Sequence, residues 1–434
     1  MTYSELITII TESSQIDQKQ SVVRSYEFQL YQLLTVSKPL KAITGIRRSG
    51  KSFLLKKMYR RLIDKLDVPQ TNIFFVNFEN DRLVKNRSLI GLRNMYEMFI
   101  SHANSQKPIY LFLDEIQNVH QWESFVRTIY DSTNHNVFIT GSNSRLLSSE
   151  FSTSLGGRIL EFHIFPFSFK EFLYWNNVPV PNNIFQLSEN KSKIQNFLNQ
   201  YLNFGGLVET FNLTNEQKVS YQETLTEKII INDVLKRFNL KYPDVLKSVS
   251  QFLQTNVGNV TSTRNITKWI RNLGEEKKLD SKTVQIYIEY LEKTYLIHKV
   301  KKFSYKTKEI FSTQNKYYFV DNLFSQKSDM EDQIENVVFQ HFSRKNIKDI
   351  YYGRDERGHE IDFVIANQLQ ALQVCYQLND TNVIRETKSL NLFNKLNIKS
   401  THSLYLVYMY DQRAQKLDLP NIKLTSLDQL LLDI

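Results

Sequence analysis

A glycine-rich segment near the start of the chain has residue types and spacing that suit phosphate binding. Gly45 to Ser52 reads GIRRSGKS and fits G-x-x-x-x-G-K-[ST] at every position. The glycines let the backbone curl so that successive N–H groups point at phosphate oxygens, and the following helix adds its positive dipole end. We expect Lys51 to bridge the β- and γ-phosphates of ATP and the Ser52 hydroxyl to ligate Mg²⁺. The residues predicted to contact the nucleotide are Gly45, Ile46, Arg47, Arg48, Ser49, Gly50, Lys51, Ser52 and Phe53.

Two adjacent acids follow an apolar run at a suitable distance from this loop. The segment Ile109 to Gln117 reads IYLFLDEIQ, so a buried strand would carry Asp114 and Glu115 at its carboxyl end. Asp114 is expected to hold the Mg²⁺ shell, and Glu115 to polarise the attacking water. An apolar run that ends in two acids is common at strand ends, and it is the preceding phosphate loop that favours a functional interpretation.

Two further candidates lie after the next strand. The segment NVFITGSNS places Ser142 and Asn143 where either could contact the γ-phosphate or the attacking water, although a plain strand-to-loop turn would use the same residues. Arg158, in LGGR, could act as an arginine finger on the γ-phosphate of a neighbouring subunit in a homo-oligomer. An ordinary surface arginine is the alternative.

Strands and helices alternate around these residues. Strands this apolar, separated by helical patterns, predict an α/β fold with a parallel sheet covered on both faces. The predicted strands are Leu40–Gly45, Asn72–Phe78, Pro108–Leu113 and Asn136–Thr140, and the predicted helices are Lys51–Asp64, Leu92–His102 and Trp122–Asp131.

The middle of the chain carries most of the positive charge. Between Lys236 and Lys302 there are 14 Lys or Arg residues against 6 Asp or Glu, whereas the whole chain has a formal net charge of +10. The helical pattern of Asp280–Tyr295 and the alternating segment Ile297–Phe303 suit a winged helix-turn-helix. DNA is therefore an expected partner, with Lys277, Lys278 and Lys282 as candidate contacts. A solvated helical surface or a protein-interaction module would use the same residues.

Length and composition limit the class of protein. A chain of 434 residues with 41% hydrophobic and 13% aromatic residues predicts two to four folded domains. The single cysteine, Cys375, excludes an internal disulfide framework and suits a reducing cytoplasm. The N-terminus lacks a signal-peptide pattern, and no apolar run approaches the length that spans a bilayer. We expect a soluble, cytoplasmic protein without a membrane partner.

Several of these segments together resemble one family. GIRRSGKS, LDEIQNVHQWE, ITGSNSRLLSSE, LGGRILEFHIFPFSFKEF and YLNFGGLVE are similar to segments of bacterial and archaeal AAA-type ATPases. Those proteins have a C-terminal module of uncharacterised function that is described as restriction-endonuclease-like. The resemblance covers nearly the whole chain and implies an ATP-binding AAA domain, a winged-helix segment and the terminal module. Together with the patterns above, we expect a P-loop AAA-type ATPase domain at 1–175, a helical lid or connector at 176–235, a basic winged-helix-like domain at 236–305 and a restriction-endonuclease-like α/β domain at 306–434.

The terminal module departs from the nuclease pattern that it resembles. EIDFVI supplies Asp362, the preceding helix could supply Glu335, but the expected acid-x-Lys of the next strand reads Gln373-Val374-Cys375. Phosphodiester cleavage with Mg²⁺ needs anionic oxygen ligands and a group that activates water. An amide and a thiol are poor substitutes, so we expect this site to be vestigial.

These observations favour an ATP-hydrolysing AAA-type protein that acts as an ATP-dependent, DNA-associated motor or switch. Two alternatives remain open. One is a regulatory or defence ATPase whose C-terminal module binds a partner protein, and the other is an active ATP-dependent nuclease.

Overall fold

A computed structural model of the chain describes two compact units. The first comprises Met1–Phe165 together with Lys293–Tyr295, and the second comprises Pro166–Glu292 and Leu296–Ile434. The described residues are 1–16, 21–142, 157–235, 238, 240–274, 276–303, 314–325, 329–354, 358–396, 403–413, 419 and 421–434, with the backbone alone for 392–396. Asn143, one of the predicted site residues, lies outside them.

The first unit is a five-stranded sheet with helices. Its helices are α1 (Tyr3–Ser14), α2 (Glu27–Gln32), α3 (Lys51–Leu66), α4 (Leu89–Ile100) and α5 (Trp122–Ser132). Its strands are β1 (Leu40–Thr44), β2 (Ile73–Asn77), β3 (Tyr110–Asp114), β4 (Asn136–Gly141) and β5 (Ile159–His163). All neighbouring strands in the order β2-β3-β4-β1-β5 are parallel, which confirms the predicted parallel α/β sheet.

The strand order decides where the candidate site lies. Because all five strands are parallel, their carboxyl ends meet at one edge of the sheet. The phosphate loop follows β1, the acid pair ends β3, and Ser142 follows β4, which lies between them. Strand β5 was not predicted, because its sequence ILEFH is at an edge of the sheet, is only partly buried and lacks the continuous apolar run of the central strands.

The second unit is built around an eight-stranded sheet in the order β13-β12-β11-β10-β9-β7-β8-β6. Its strands are β6 (Thr261–Ser262), β7 (Ile297–Lys302), β8 (Gln314–Phe319), β9 (Ile350–Arg354), β10 (Glu360–Ile365), β11 (Gln370–Leu378), β12 (Ser403–Asp411) and β13 (Ile422–Ser426). Its helices are α6 (Phe169–Trp175), α7 (Ile184–Glu189), α8 (Lys191–Phe204), α9 (Asn215–Lys228), α10 (Pro243–Thr255), α11 (Thr263–Asn272), α12 (Ser281–Lys293), α13 (Met330–Arg344), α14 (Val383–Leu396) and α15 (Leu427–Leu432), and a π-helix spans Ile229–Leu235.

One sheet runs across the domain boundary that the sequence suggested at residues 305 and 306. Strand β7 pairs with β8 in antiparallel fashion and, on its other side, with β9 in parallel fashion through Lys301 and Lys302. The segment expected to form the wing is therefore an interior strand of a larger sheet. The basic segment and the C-terminal module share backbone hydrogen bonds, and this explains why they belong to one compact unit. Among the described residues, no helix is both long enough and apolar enough to cross a membrane.

Candidate functional site

The phosphate loop has the conformation that its glycines predict. Gly45 and Gly50 have φ angles of +142° and +101°, which L residues with side chains rarely adopt. A Cβ atom at Gly45 would lie 2.2 Å from the Ile164 carbonyl oxygen, so this position also lacks space for a side chain. Helix α3 begins at Lys51 directly after Gly50, so its amino end faces the loop. The loop therefore offers backbone N–H groups and a helix dipole to an anion.

Lys51 is buried and holds the loop closed from within. Its ammonium donates hydrogen bonds to the carbonyl oxygens of Gly45 at 3.0 Å and Ile46 at 3.1 Å. The same Nζ atom lies 3.4 Å from Oε1 of Glu115. The first cation of the site is thus already placed between the phosphate loop and the acid pair.

Asp114 is fully buried at the end of β3. Burial raises its pKa to about 6, and the neighbouring Glu115 charge adds to this shift, whereas the hydroxyls of Thr140 and Ser52 oppose it. Oδ1 of Asp114 accepts a hydrogen bond from the Thr140 hydroxyl at 2.6 Å. Oδ2 is buried and, among the described residues, has no hydrogen-bond partner. A buried carboxylate oxygen of this kind is an available ligand for a cation.

Glu115 has the opposite electrostatic balance. Burial raises its pKa, but the Lys51 ammonium and the side chains of Gln117 and Arg47 outweigh burial, and the pKa is lowered from its usual value. Its backbone is left-handed, with φ of +52°, a conformation that is uncommon for non-glycine residues and concentrated at functional sites. At neutral pH Glu115 is therefore an ionised carboxylate held beside the loop.

Thr140 is a site residue that the sequence reasoning missed. Its hydroxyl donates to Asp114 and accepts the backbone N–H of Glu115 at 2.9 Å, so one side chain orients both acids. The contact follows from the pairing of β3 with β4, in which Leu113 is opposite Ile139 and Asp114 therefore lies next to Thr140. That register is not readable from sequence spacing alone.

The residues present fit a magnesium ion that also binds phosphate. Mg²⁺ prefers hard oxygen ligands in octahedral geometry and keeps several from water and phosphates. Ser52 and Asp114 provide a hydroxyl and an orphaned carboxylate oxygen in the right chemistry. Within the described part of the chain, no group of three or more His, Cys, Asp or Glu side chains is arranged to hold a metal by itself. This arrangement suits a metal that arrives with a nucleotide.

The remaining predicted site residues lie at different distances from this centre. Ser142 is buried one residue beyond the end of β4. Arg47 pairs with Glu79 at 2.8 Å. Arg158 is exposed, and its guanidinium lies 3.5 Å from Asp131 on α5. Its role as a finger stays a prediction.

Arg24, which the sequence reasoning also missed, supports the phosphate loop. It is buried and donates hydrogen bonds to the carbonyl oxygens of Phe165 at 2.7 Å and Ser49 at 3.4 Å. Its backbone N–H donates to Glu27, which also accepts a hydrogen bond from Lys57 on α3 at 2.7 Å. The chain before β1 thereby holds the far end of the loop.

The predicted DNA contacts lie on the surface of the second unit. Lys277, Lys278 and Lys282 are all exposed. The backbone N–H of Thr283 donates to Asp280, which places this carboxylate at the amino end of α12. Along α12, Val284, Ile288 and Leu291 are buried, whereas Lys282 in the first turn is exposed; Lys277 and Lys278 precede the helix.

The structure brings Glu335 and Asp362 of the terminal module together around a lysine that the sequence reasoning did not identify. The buried ammonium of Lys316, on β8, lies 2.7 Å from Glu335, 2.8 Å from Glu360 and 3.2 Å from Asp362. The Tyr318 hydroxyl also donates to Glu335, and the Val374 N–H donates to Asp362 at 2.9 Å. Burial and the Asp362 charge raise the pKa of Glu335. We call Lys316, Glu335, Glu360 and Asp362 the β8–β10 charge cluster.

Gln373 and Cys375 do not complete a metal site. Oε1 of Gln373 is buried and has no hydrogen-bond partner among the described residues. Burial raises the pKa of the Cys375 thiol, and the Glu386 charge adds to the shift, so the thiol stays protonated. The lysine found in this part of the module is Lys316, on another strand, and its ammonium is enclosed by the carboxylates that it neutralises.

Three parts of the chain match known domain families. Residues 37–173 match an AAA domain. Residues 195–325 match a domain of unknown function, DUF8612, and residues 332–430 match another, DUF4143. The chain is 31% identical over 391 residues to the uncharacterised protein MJ1544 of Methanocaldococcus jannaschii, covering 88% of this chain and 83% of that protein.

The chain belongs to the family of this archaeal protein, and its residues 37–173 match an AAA domain. An uncharacterised protein of Haemophilus influenzae is 29% identical over 376 residues, which cover 85% of this chain and 88% of the relative. The five parallel strands, the glycine loop and the buried Asp114 therefore belong to a P-loop ATPase domain. The restriction-endonuclease-like identity of the C-terminal module is not established by its match to a domain of unknown function.

Two archaeal proteins are among the solved structures that match this chain. The Walker-type ATPase of Pyrococcus abyssi is 16% identical with a TM-score of 0.42, covering 73% of this chain and 99% of that one. The ORC2 protein of Aeropyrum pernix is 11% identical with a TM-score of 0.41, covering 77% and 98%.

The double role of Thr140 generates a prediction. Thr140→Val keeps the shape but removes the hydroxyl that stabilises ionised Asp114, so the folded-state pKa of Asp114 should rise further above 6. The unfolding free energy should then fall by about 1–3 kcal/mol at pH 8, and by less at pH 5, where Asp114 is already protonated. Urea unfolding at both pH values measures this.

Thr210→Val is the matched control, because the buried Thr210 hydroxyl donates to the Leu207 carbonyl oxygen at 2.7 Å, and that acceptor does not titrate. Its effect should be the same at both pH values. An equally pH-independent loss in Thr140→Val would contradict the assignment.

Proposed function

We propose that the first unit binds ATP with Mg²⁺ and hydrolyses it. The observation that carries this proposal is the convergence of Lys51, Asp114 and Glu115 at one edge of a parallel sheet, with a carboxylate oxygen of Asp114 left available. In this proposal the loop N–H groups and Lys51 bind the phosphates. Ser52 and Asp114 hold Mg²⁺, which neutralises charge on the phosphate oxygens when bound.

Glu115 is the residue that orients and polarises the attacking water. In the structure its carboxylate is paired with Lys51 at 3.4 Å. When Lys51 turns towards a γ-phosphate, its ion pair with the Glu115 carboxylate weakens, and this carboxylate can accept a hydrogen bond from water. Its backbone is held by Thr140, so the carboxylate needs little reorganisation.

Glu115→Gln should retain ATP binding and slow turnover by about 10²-fold or more, because an amide keeps the shape but cannot accept a proton. Lys51→Ala serves as the contrasting variant and should lose both binding and turnover, since it removes the buried cation of the loop. Titration calorimetry with ATP and a phosphate-release assay measure the two quantities. Wild-type turnover in Glu115→Gln would exclude Glu115 as the water-orienting residue.

The second part of the proposal is that the basic segment binds DNA, so that the protein is an ATP-dependent, DNA-associated motor or switch. The order of elements supports it: helix α10, short strand β6, helices α11 and α12, then the antiparallel strands β7 and β8, with β6 also paired to β8. This order suits a winged helix-turn-helix, in which one helix enters a groove and lysines neutralise phosphates. Exposed lysines just before α12 (Lys277 and Lys278) and in its first turn (Lys282) supply positive charge.

Reversing Lys277, Lys278 and Lys282 to Glu should lower the affinity for a labelled DNA duplex. The dependence of affinity on salt should also become shallower, by a slope of roughly 0.9 for each phosphate contact that is lost. The control reverses Lys191, Lys193 and Lys228, which are also exposed in the second unit and change the net charge equally. Equal affinity of the test variant and the wild type across a salt titration would favour a protein-interaction role for this segment.

The β8–β10 charge cluster argues against a working nuclease centre. Lys316 is fully enclosed, and each of its three carboxylate neighbours is within 3.2 Å, so the ammonium occupies the place that a bound cation would need. Gln373 and Cys375 contribute neither a carboxylate nor a cation. The proposal therefore treats the C-terminal module as a binding platform.

The wild-type protein should not cleave plasmid or linear DNA with Mg²⁺ or Mn²⁺, with or without ATP. The assay is read on a gel beside Asp362→Asn, which keeps an oxygen acceptor for the Val374 N–H but removes the charge. Cleavage by the wild type that disappears in Asp362→Asn would show that Asp362 belongs to a working nuclease centre and would overturn the binding-platform proposal.

A further inference from the structure

A short piece of chain from far along the sequence belongs to the ATPase unit. The chain leaves this unit at Phe165 and returns to it for Lys293–Tyr295 before it continues into β7. Lys293 is the last residue of helix α12, and Tyr295 follows two residues later. The ATPase unit therefore holds a segment that is covalently continuous with the proposed DNA-binding helix.

Tyr295 is anchored beside the residue that precedes the phosphate loop. Its ring lies 4.5 Å from the His163 ring, centroid to centroid. Burial raises the pKa of the Tyr295 phenol, and the nearby Thr44 hydroxyl opposes the shift. That hydroxyl lies 3.2 Å from Nδ1 of His163 and donates to Glu161 at 2.9 Å. Thr44 is followed directly by Gly45, so this small layer of side chains lies at the start of the loop.

The residues around His163 contact both ends of the phosphate loop. The Ile164 N–H donates to the Thr44 carbonyl oxygen at 2.8 Å, and the Ile164 carbonyl oxygen lies against Gly45 with no space for a side chain. The Arg24 guanidinium donates hydrogen bonds to the carbonyl oxygen of Phe165 and to that of Ser49, which lies near the other end of the loop. Direct contacts therefore connect the phosphate loop with His163 and the Tyr295 ring, so a movement of the loop would be felt by both side chains.

The backbone at Tyr295 turns sharply just beyond the end of α12. Its φ angle is +60°, a left-handed conformation that is disfavoured for a residue with a bulky side chain. Such conformations persist where surrounding contacts hold them, and they are concentrated at functional sites and switch regions. The preceding Thr294 is buried, so the short segment is fixed on both of these residues rather than passing loosely over the surface.

We propose that Tyr295 is a positioning residue for the phosphate loop and couples nucleotide occupancy to helix α12 and strand β7. This inference rests on the proposed ATP binding. Nucleotide in the loop changes the hydrogen bonds of Lys51 and the loop carbonyls, the layer of Thr44 and His163 adjusts, and the Tyr295 ring carries the change to the end of α12. A coupling free energy of this kind acts in both directions, so a ligand on α12 also alters nucleotide affinity.

Hydrogen exchange on the full chain tests the coupling without assuming any DNA ligand. ATP binding is first measured by calorimetry, and amide exchange of residues 281–302 is then compared with and without a non-hydrolysable ATP analogue. The wild type should show a nucleotide-dependent change of at least twofold in exchange rate in this region. Tyr295→Phe, which keeps the ring, should retain it. Tyr295→Ala and His163→Ala, which remove the ring contact from opposite sides, should abolish it.

Each outcome decides between distinct statements. If the wild type binds no ATP, the proposed function fails and the coupling fails with it. If ATP binds but exchange in residues 281–302 is unchanged, or if the change persists in either alanine variant, the coupling is overturned and the proposed ATPase stands. His163→Ala keeps the test informative if Tyr295→Ala does not fold. A merely structural role of Tyr295 would lower the unfolding temperature but leave the nucleotide-dependent difference in exchange intact.

Discussion

Asp114 and Glu115 are consecutive carboxylates, both buried, at the edge of a hydrophobic sheet, and burying an ionised carboxylate without a partner costs several kcal/mol. The ammonium of Lys51, 3.4 Å from Glu115, offsets part of this cost by forming an ion pair, and the Thr140 hydroxyl donates a hydrogen bond to one oxygen of Asp114. The two acids consequently separate in their protonation behaviour. The pKa of Asp114 is raised to about 6, whereas that of Glu115 is lowered. The proposed binding and hydrolysis of ATP at this edge use an arrangement of charges that is already formed in the chain itself.

The parallel sheet is what allows the arrangement to form. The central strands β3, β4 and β1 are buried on both faces, and the polar side chains that form the candidate site lie at their carboxyl ends. At the carboxyl end these groups meet, and the left-handed backbones of Gly45 and Gly50 turn the chain sharply enough for Lys51 to point back across the edge. Arg24 and the residues after β5 then hold the loop from outside.

The second unit solves a similar electrostatic problem in a different way. Three carboxylates converge on the buried ammonium of Lys316, which comes from β8, whereas Glu360 and Asp362 come from β10 and Glu335 from α13. Removing one partner of such a buried group leaves uncompensated charge and is strongly destabilising. The cluster, together with the continuous sheet from β6 to β13, joins the two segments that match separate domains of unknown function into one folded unit.

The sequence by itself determined those parts of the protein whose chemistry is local. The loop from Gly45 to Ser52 is a consecutive run in which spacing sets backbone geometry, and the apolar run before Asp114 is long enough to indicate a buried strand, so loop, acids and the parallel α/β class were all predictable. Only the tertiary structure decided which residues far apart in the sequence come into contact. Thr140 lies 26 residues from Asp114, Lys316 lies 46 residues from Asp362, and Tyr295 lies far from His163 along the chain. These pairs depend on strand register and on the path of long connections, which the periodicity of the sequence does not encode. A threonine, lysine or tyrosine in a strand or turn has the same local sequence pattern whether or not its side chain contacts a carboxylate or the phosphate loop.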